Sequence, residues 1–252
     1  MKIARVSSWI ALALLAACAA PSPAPVTTTR LLESLQAFSA APVGDPHPMG
    51  WEPWVLSRFL GKTEYKIVEL DGQRVLAANA NSSASGLLQP LSVSPAEYPW
   101  LSWRWKVPQL IPGADNASKG SDDAPVRVIV AFDGDKSKWD FEDTSLASLV
   151  KLFSGREMPY ATIQYIWENK LPKETVLDNS KTTRAKMLVV ESGPQRTNQW
   201  LDFRRNIKAD YERLFGEAPG PIIYIGLMTD SNATGTMALA YYGDFKLSRG
   251  EH

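Results

Sequence analysis

The sequence predicts an all-β fold with two short helices, an antiparallel β-sandwich of the jelly-roll type. Segments of alternating apolar and polar residues recur from Trp51 onward, as expected of strands with one buried face. Turn residues, rather than regular helices, separate these segments, which favours antiparallel strands packed in two layers. The chain has 252 residues, a length that suits one large domain of this kind.

Individual strands follow from their residue patterns. LSWRWKV (101–107) alternates, with its two tryptophans on one face and Arg104 on the other. VRVIVAF (126–132) places its valines together, with Arg127 on the opposite face. Asp71-Gly72 lies between two β-rich segments and is the strongest hairpin signal in the chain. Further β-rich segments are ATIQYIWE (161–168), AKMLVVES (185–192), PIIYIGLMT (221–229) and MALAYYGDFKL (237–247).

Two helices are expected to interrupt the strands. TSLASLVKLFSG (144–155) sets apolar residues at helical spacing, with Thr144 as the N-cap and Gly155 as the stop. DFRRNIKADYERLFGEAPG (202–220) predicts the second helix, which ends at Gly216. Its apolar face would contain Phe203, Ile207, Tyr211, Leu214 and Phe215.

The N-terminus indicates export and anchoring. Lys2 and Arg5 precede an apolar run, residues 10–17, that is too short to span a bilayer. Leu15-Ala16-Ala17-Cys18 resembles the lipobox of bacterial lipoproteins, in which the cysteine receives a diacylglycerol and becomes the first residue of the mature protein. By the same resemblance, the non-acidic Ala19 implies the outer membrane, facing the periplasm. An ordinary secretory signal with an incidental cysteine is the alternative.

The sequence therefore divides into three expected parts. Residues 1–17 form a lipoprotein signal peptide, and residues 18–44 form the lipidated Cys18 and a flexible tether rich in Pro, Ser, Thr and Ala. Residues 45–252 form a single β-sandwich domain. Lys and Arg total 27, as do Asp and Glu, and this balance argues against nucleic acid as a partner.

Residue usage narrows the possible chemistry. The two histidines, His47 and His252, do not stand near a nucleophile turn, which argues against a Ser-His-Asp triad. Too few His and Cys residues are present for a typical zinc site. The sequence favours a protein without catalytic residues, and no acidic pair has a spacing that singles it out for glycoside chemistry. The acids considered for that role are Glu142, Asp143, Glu168, Glu191, Asp230 and Asp244.

A polar patch is the first candidate binding site. Asp122 and Asp123 precede the strand that carries Arg127, and Arg104 lies on the polar face of its own strand. If the two strands are neighbours, the four side chains form one patch on one sheet. That patch is either a pocket for an anionic or hydroxyl-rich ligand, such as a uronate, or an ion network beneath a loop.

Tryptophans form the second candidate. Those that alternate with polar residues, namely Trp103, Trp105 and Trp167, are expected in the core. Those in loops or at strand ends are candidates for a platform on which sugar rings stack. They are Trp51, Trp54, Trp100, Trp139 and Trp200, of which Trp100, Trp139 and Trp200 are taken as the ligand-binding candidates.

The segment TDSNATG (229–235) suggests a binding site for a structural calcium ion, the one cofactor that the sequence indicates. Asp230, Asn232 and Thr234 place oxygen ligands at alternate positions before Gly235, as in the first half of a calcium loop. Asp244 would be a remote ligand. The alternative is a tight hairpin whose side chains cap turn amides.

A series of landmarks along residues 50–248 resembles a known bacterial family. They are WRWKV (103–107), DDAPVRVIVAF (122–132), YIWENK (165–170), VVESG (189–193), FRRNIKADYERLFGEAP (203–219), GLMTDSNATG (226–235) and AYYGDFKL (240–247). In this order they are similar to the domain-of-unknown-function family numbered 3047. The resemblance implies a β-sandwich and brings no established activity, so it assigns no catalytic residue.

These observations lead to one function and two alternatives. The first is a lipid-anchored periplasmic module that binds a carbohydrate or another envelope component without catalysis. An envelope structural or assembly protein acting through protein contacts is the alternative, and a carboxylate-dependent carbohydrate-active enzyme is the third possibility. The expected partners are the membrane, through the lipid anchor, and a glycan or an envelope protein.

Overall fold

The computed structural model describes residues 35–179 and 182–250. They belong to one compact unit, Leu31–His252. The expected signal peptide and Cys18 lie outside the described residues. Within the described ranges, no helix is both long and apolar enough to cross a membrane.

Thirteen strands and two α-helices make up the described part of the chain. The strands are β1 (Glu52–Val55), β2 (Glu64–Leu70), β3 (Gln73–Asn81), β4 (Ala84–Val93), β5 (Trp100–Lys106), β6 (Arg127–Phe132), β7 (Ala161–Glu168), β8 (Val176–Asn179), β9 (Thr182–Ser192), β10 (Trp200–Asn206), β11 (Ile222–Asp230), β12 (Met237–Tyr242) and β13 (Lys246–Ser248). The helices are α1 (Phe141–Ser154) and α2 (Ile207–Phe215), and 3-10 turns occur at Phe38–Ala40 and Lys136–Lys138.

The strands form two sheets that pack as a sandwich, which confirms the predicted fold class. Sheet 1 has the strand order β1-β4-β11-β6-β7-β9-β8, and sheet 2 has the order β10-β5-β12-β3-β2, with β13 also paired to β5. The pairing departs from a purely antiparallel arrangement at β7 and β9, which run parallel. The short β8 reverses the chain between them and pairs antiparallel with β9 at the edge of the sheet.

The core lies between the sheets and uses the faces that alternation predicts. Trp103 and Trp105 of β5 are buried, whereas the residues between and beside them are half-exposed. Trp103 stacks on Phe203 of the neighbouring strand, with ring centroids 5.4 Å apart, and on Tyr165 of sheet 1 at 5.2 Å. Trp167 is also fully buried. The three tryptophans expected in the core therefore lie there.

The hairpin predicted at Asp71-Gly72 joins β2 to β3. Both turn residues have positive φ angles, 53° and 76°, as a type I′ turn requires. The twist of this turn matches that of the two strands, so the local sequence alone specifies the connection. The turn leaves Asp71 exposed at one end of sheet 2.

Helix α1 begins earlier than the sequence predicts. Its N-cap is Asp140, whose carboxylate accepts a hydrogen bond of 2.7 Å from the amide of Asp143, so Thr144 lies inside the helix. An aspartate caps as well as a threonine, and residue type alone did not separate the two. The helix ends before Gly155, which has a φ of 72°, as predicted.

Helix α2 is shorter than predicted, because the first residues of the predicted helix belong to strand β10. Asn206 caps the helix by accepting from the amide of Ala209. Phe203, assigned to the helix face by its spacing, is part of β10 and packs on Trp103. Pairing of β10 with β5 outweighs the helical periodicity of this segment.

The folded part of the chain begins upstream of residue 45. Phe38 is fully buried in an aromatic cluster, with ring centroids 4.7 Å from Trp51 and 5.9 Å from Phe245. The segment around it therefore packs into the sandwich rather than forming the end of the tether expected over residues 18–44. Trp51, considered for a surface platform, is 3% exposed and belongs to this cluster.

Candidate functional site

The face of sheet 2 that points away from the core carries a hollow of about 500 Å³. This volume lies within the range of small-molecule sites, roughly 300–1,000 Å³. We call it the sheet 2 hollow. Among the residues that line it are Ser102, Arg104, Asp202, Arg204, Asp244 and Lys246.

Alternation along β5 and β10 directs these polar side chains away from the core. The two strands are antiparallel, and their register places Asp202 opposite Arg104 and Arg204 opposite Ser102. Because side chains of a strand alternate between its faces, the residues that flank buried Trp103 project from the outer face. The hollow therefore has a polar floor above an aromatic core.

Two arginines of the hollow stack on tryptophans of the neighbouring strand. The guanidinium carbon of Arg104 lies 4.6 Å from the ring centre of Trp200, and that of Arg204 lies 4.6 Å from the ring centre of Trp100. The negative face of an indole attracts a guanidinium. The two guanidinium groups differ in their hydrogen bonds, because Nη2 of Arg204 also donates to the carbonyl oxygen of Gly250.

Trp200 is also held at its edge. Its Nε1 donates a hydrogen bond of 2.9 Å to Oδ2 of Asp71, and the same oxygen accepts from Nζ of Lys106 at 3.0 Å. The hydrogen bonds from Lys106 and Trp200 lower the pKa of Asp71 from its ordinary value of 3.8. Asp71 is therefore ionised at neutral pH and fixes the orientation of the indole.

Arg104 has an unsatisfied donor. Its Nη1 donates to Oε1 of Gln73 at 3.3 Å, while its Nε is buried without a hydrogen-bond partner and lies 3.7 Å from Oδ1 of Asp202. Gly243 makes room for this side chain, because a Cβ at position 243 would lie 2.4 Å from Cγ of Arg104. A charged donor that is buried without a hydrogen bond beside a hollow favours binding of an acceptor there.

Positive charge prevails around the sheet 2 hollow. The basic side chains that line it are Arg74, Arg104, Arg204 and Lys246, against the acidic side chains of Asp202 and Asp244. Arg74 donates to the carbonyl oxygen of Ala41, and Asp244 accepts from the amide and the hydroxyl of Ser39. The segment upstream of residue 45 therefore helps to build one wall of the hollow.

Arg127 is not part of this site, which corrects the single patch expected with Arg104. Arg104 lies in sheet 2, and Arg127 lies in sheet 1 with 3% of its surface exposed. Its Nε and Nη2 donate to the two carboxylate oxygens of Asp230 at 2.8 and 3.0 Å. It also donates to the carbonyl oxygen of Asp122 and to Oδ1 of Asn116. This is the ion network beneath a loop that the sequence left as the alternative.

Asp123 anchors the turn before β12 rather than contacting Arg104. Its carboxylate accepts from the amides of Ala233 and Thr234 at 3.1 and 2.7 Å, and from the Thr234 hydroxyl at 2.7 Å. The side chain therefore caps turn amides, and its role in the fold is structural.

The four calcium candidates are not brought together. Asp230 binds Arg127 and the amide of Ala124, and burial raises the pKa of Asp230 while Arg127 opposes the shift. Thr234 donates to Asp123, Asn232 is exposed, and Asp244 lies in the sheet 2 hollow. In residues 35–179 and 182–250, no group of three or more His, Cys, Asp or Glu side chains could hold a metal. The alternative of a capped turn describes this loop.

Trp139 does not join the aromatic side chains of sheet 2. It stacks on Tyr160 just before β7, with ring planes 7° apart, and donates from Nε1 to the carbonyl oxygen of Tyr160. Of the three ligand-binding candidates, only Trp100 and Trp200 belong to the paired strands β5 and β10.

Two of the acidic residues considered for glycoside chemistry, Glu168 and Glu191, are buried and hold structural contacts. The carboxylate of Glu168 accepts from the amides of Asn116, Lys170 and Leu171, which fastens two loops to the end of β7. Glu191 forms ion pairs with Lys173 and Arg196. Both buried carboxylates thus have hydrogen-bond or ion-pair partners within the fold.

Three residues that line the hollow, Asp202, Arg204 and Lys246, and one that holds Trp200 beside it, Asp71, were not predicted as site residues from the sequence. Asp202 and Arg204 were assigned to a helix, so their pairing with β5 was not foreseen. Asp71 was recognised only as a turn residue, and Lys246 had no local signal. The repetition of a tryptophan and an arginine four residues apart, in β5 and β10, is the signal that was available.

Comparisons with known proteins give a family and distant structural likenesses. The model of a family described as proteins of unknown function, DUF3047, matches residues 49–246. No curated protein matches the chain significantly.

Three solved structures illustrate the likenesses. The family 30 carbohydrate-binding module of the cellulosomal cellulase Cel9D-Cel44B of Clostridium thermocellum is 14% identical, with coverage of 88% of this chain and 100% of that one and a TM-score of 0.44. A second structure of a family 30 carbohydrate-binding module is 13% identical, with coverage of 88% and 91% and a TM-score of 0.41. The glycoside hydrolase domain of Endo-D from Streptococcus pneumoniae is 11% identical, with coverage of 80% and 22% and a TM-score of 0.36. Likenesses this distant carry no argument about the chain.

Proposed function

We propose that this chain, which belongs to the DUF3047 family of proteins of unknown function, is a non-catalytic module that binds a glycan in the sheet 2 hollow. The observation that carries the proposal is the Arg104 side chain, stacked on Trp200 with its Nε buried without a hydrogen-bond partner beside a hollow on an outer sheet face.

The lining of the hollow suits a hydroxyl-rich ligand. Sugar hydroxyls both donate and accept hydrogen bonds, so a glycan site needs acceptors and donors close together. Asp202 and Asp244 supply carboxylate acceptors, and Arg104 and Lys246 supply charged donors. Charge-assisted hydrogen bonds of this kind are stronger than bonds between neutral groups.

The proposal places the module in the cell envelope. The lipobox-like sequence before Cys18 supports lipidation of that residue after removal of residues 1–17. By resemblance to such lipoproteins, the chain is anchored in the outer membrane and faces the periplasm. Several acyl chains suffice for stable anchoring, so the hollow is left to bind a ligand.

Binding of the purified full chain to a glycan array, followed by titration calorimetry with the glycans retained, tests this function. We expect at least one glycan to bind, and Arg104→Gln to weaken it by about tenfold or more, since a hydrogen bond to a charged group contributes roughly 1.5–3 kcal/mol. Arg58→Gln is a matched control, because Arg58 stacks on Phe59 away from the hollow. Absence of glycan binding, or equal losses in both variants, would contradict the proposal.

Protein contacts are the second candidate function, and helix α1 favours them. Phe141 and Leu152 are 85% and 74% exposed, and Leu149 and Phe153 are exposed as well. Apolar side chains grouped on one exposed helix are typical of contact surfaces. Cross-linking in intact cells tests this function. A partner that is captured by the native chain but not by Leu152→Ser would support it.

A further inference from the structure

Strands β2, β3 and β12 carry a second hollow on the outer face of sheet 2. Its volume is about 330 Å³, which lies within the range of small-molecule sites, roughly 300–1,000 Å³. Its side chains alternate along β2 with Tyr65 and Ile67, which are buried in the core between the sheets. We call it the second hollow. Among the residues that line it are Glu64, Lys66, Ala77, Asn79, Leu239 and Tyr241.

The second hollow adjoins the sheet 2 hollow along two strands. Residues 73–75 of β3 line the sheet 2 hollow, and Ala77 and Asn79, the next outward-facing residues, line the second hollow. Tyr241 of β12 lines the second hollow, and Gly243, just past the end of that strand, lines the sheet 2 hollow. The middles of the two β3 segments are about 14 Å apart, at a rise of ~3.4 Å per residue. The two hollows therefore follow one another along the strands.

The second hollow has an apolar floor that includes an aromatic ring. The register of β3 and β12 places Tyr241 opposite Ala77 and Leu239 opposite Asn79. The small side chain of Ala77 leaves space beside the ring of Tyr241, which is half-buried. The apolar face of an aromatic ring, with a polar group at its edge, suits the C–H groups and hydroxyls of a sugar ring.

The polar side chains of the second hollow are available to a ligand. Four of them form no hydrogen bond or ion pair with any residue of the described ranges, 35–179 and 182–250. They are the side chains of Glu64, Lys66, Asn79 and Tyr241. By contrast, Arg204 of the sheet 2 hollow donates to the carbonyl oxygen of Gly250. An amide side chain such as that of Asn79 both donates and accepts, as a sugar hydroxyl does.

The two hollows differ in charge. Glu64 and Glu69 outnumber Lys66 around the second hollow, whereas basic side chains outnumber acidic ones around the sheet 2 hollow. An anionic group on a ligand would meet like charge in the second hollow, and such a contact opposes binding. The charges there favour an uncharged sugar unit.

We infer that the second hollow is a further subsite for the same ligand, and that this ligand is a linear glycan whose unit in the second hollow is uncharged. The inference rests on the proposed glycan-binding function, to which it adds a second subsite and a class of glycan. Tyr241 supplies the stacking surface of this subsite. Asn79 and Glu64 supply hydrogen-bonding groups for the sugar hydroxyls.

The separation of the hollows favours an oligomer. A monosaccharide cannot reach two hollows whose β3 segments are centred about 14 Å apart. A longer chain held in one hollow meets the other at a raised effective concentration, so the second contact adds to affinity. Affinity should therefore rise with the number of sugar units until both hollows are occupied.

The experiment is titration calorimetry of the full chain with glycans of two lengths. The neutral probes are the dimers and hexamers of β-1,4-linked glucose, of β-1,4-linked N-acetylglucosamine and of α-1,4-linked glucose, and the acidic probe is hexameric galacturonate. We expect at least one neutral hexamer to bind about tenfold or more tightly than its dimer. The same hexamer should bind more tightly than hexameric galacturonate.

Variants of the second hollow test its role. Tyr241→Ala should weaken binding of the hexamer about tenfold and leave that of the dimer unchanged, because the dimer is held in the sheet 2 hollow. Tyr241→Phe keeps the ring and should retain most of the affinity. Asn79→Ala changes an exposed residue, so it should weaken the hexamer selectively with little effect on folding.

The matched control is Tyr224→Ala. Tyr224 is a half-buried tyrosine of β11 in sheet 1 and lines neither hollow. This variant should bind the hexamer as the native chain does. Thermal melts of all variants show whether each one folds.

The outcomes distinguish the two proposals. Equal affinities for dimer and hexamer, both lowered by Arg104→Gln, would overturn this inference and leave the proposed function intact. So would a hexamer preference that survives both Tyr241→Ala and Asn79→Ala, or losses in Tyr241→Ala that are equal for dimer and hexamer. Tighter binding of hexameric galacturonate than of every neutral hexamer would overturn the uncharged unit. Absence of binding to every glycan would overturn both proposals.

Discussion

Asp71 and Trp200 are separated by 129 positions in the chain and joined by a hydrogen bond of 2.9 Å from the indole Nε1 to the carboxylate. Asp71 occupies a tight turn whose conformation is local, and Trp200 begins the strand at the opposite edge of sheet 2. A residue required by a hairpin turn therefore also orients an aromatic side chain beside the candidate site.

The contact between Asp71 and Trp200 should be lost only at low pH. Hydrogen bonds from Lys106 and Trp200 lower the pKa of Asp71 below 3.8, so the stabilisation is complete above 3.8 and lost as pH falls through the lower, folded-state pKa. The indole N–H signal of Trp200 in NMR spectra, assigned with Trp200→Phe, should be constant from pH 7 to about pH 5. Asp71→Asn should remove the transition. A midpoint above 3.8 in the native chain would contradict this prediction.

Gly243→Ala should displace Arg104 and weaken ligand binding. The new Cβ would lie 2.4 Å from Cγ and 2.8 Å from Cδ of Arg104, so the side chain must move away from Trp200. Overpacking typically costs about 1–3 kcal/mol, and a flexible side chain lowers this cost. Calorimetry should show about tenfold weaker binding, and the double variant Gly243→Ala/Arg104→Gln should bind no worse than Arg104→Gln alone. Additive losses would show that Gly243 acts independently.

Asp230→Asn should be strongly destabilising. The carboxylate accepts from Arg127, which is buried, and removal of one partner leaves an uncompensated charge that costs about 3–5 kcal/mol. Urea unfolding measures the change. Asp202→Asn is the control, because its side chain is 78% exposed and its ion pair should contribute less than about 1 kcal/mol. Equal effects of the two substitutions on the free energy of unfolding would contradict this prediction.

Phe38→Ala should reveal that the domain begins before residue 45. Phe38 is fully buried against Trp51 and Phe245, and truncation of a buried phenylalanine costs about 3–5 kcal/mol. Val43→Ala is the control, since Val43 is 57% exposed and should change stability by less than about 0.5 kcal/mol. If Phe38→Ala were as stable as the native chain, residues 35–44 would belong to the tether rather than to the domain.

Cys18→Ala should release the protein from membranes. Without the thiol no acyl chain can be attached, and the anchoring energy of the buried methylene groups is lost. Fractionation of cells followed by immunoblotting should find the variant in the soluble fraction, while Pro21→Ala, outside the lipobox-like segment, stays with the outer membrane. Retention of Cys18→Ala in the membrane fraction would remove the proposed anchor.

Local signals predicted the strands and the core well, because each depends on near neighbours. Alternation in β5 predicted that Trp103 and Trp105 are buried and that Arg104 is not. The Asp71-Gly72 turn was likewise predictable from the sequence, since a type I′ turn depends on the φ angles of two residues. In residues 202–206 the local signal failed, because helical periodicity and strand pairing compete there.

The sequence by itself determined the fold class, the faces of the strands and the position of the hairpin. Only the tertiary structure decided that Arg104 meets Trp200 while Arg127 meets Asp230. The physical reason is the range of the forces concerned. Alternation sets the inside and the outside of one strand, whereas the neighbour of a strand is chosen by packing of whole sheets between segments about a hundred residues apart.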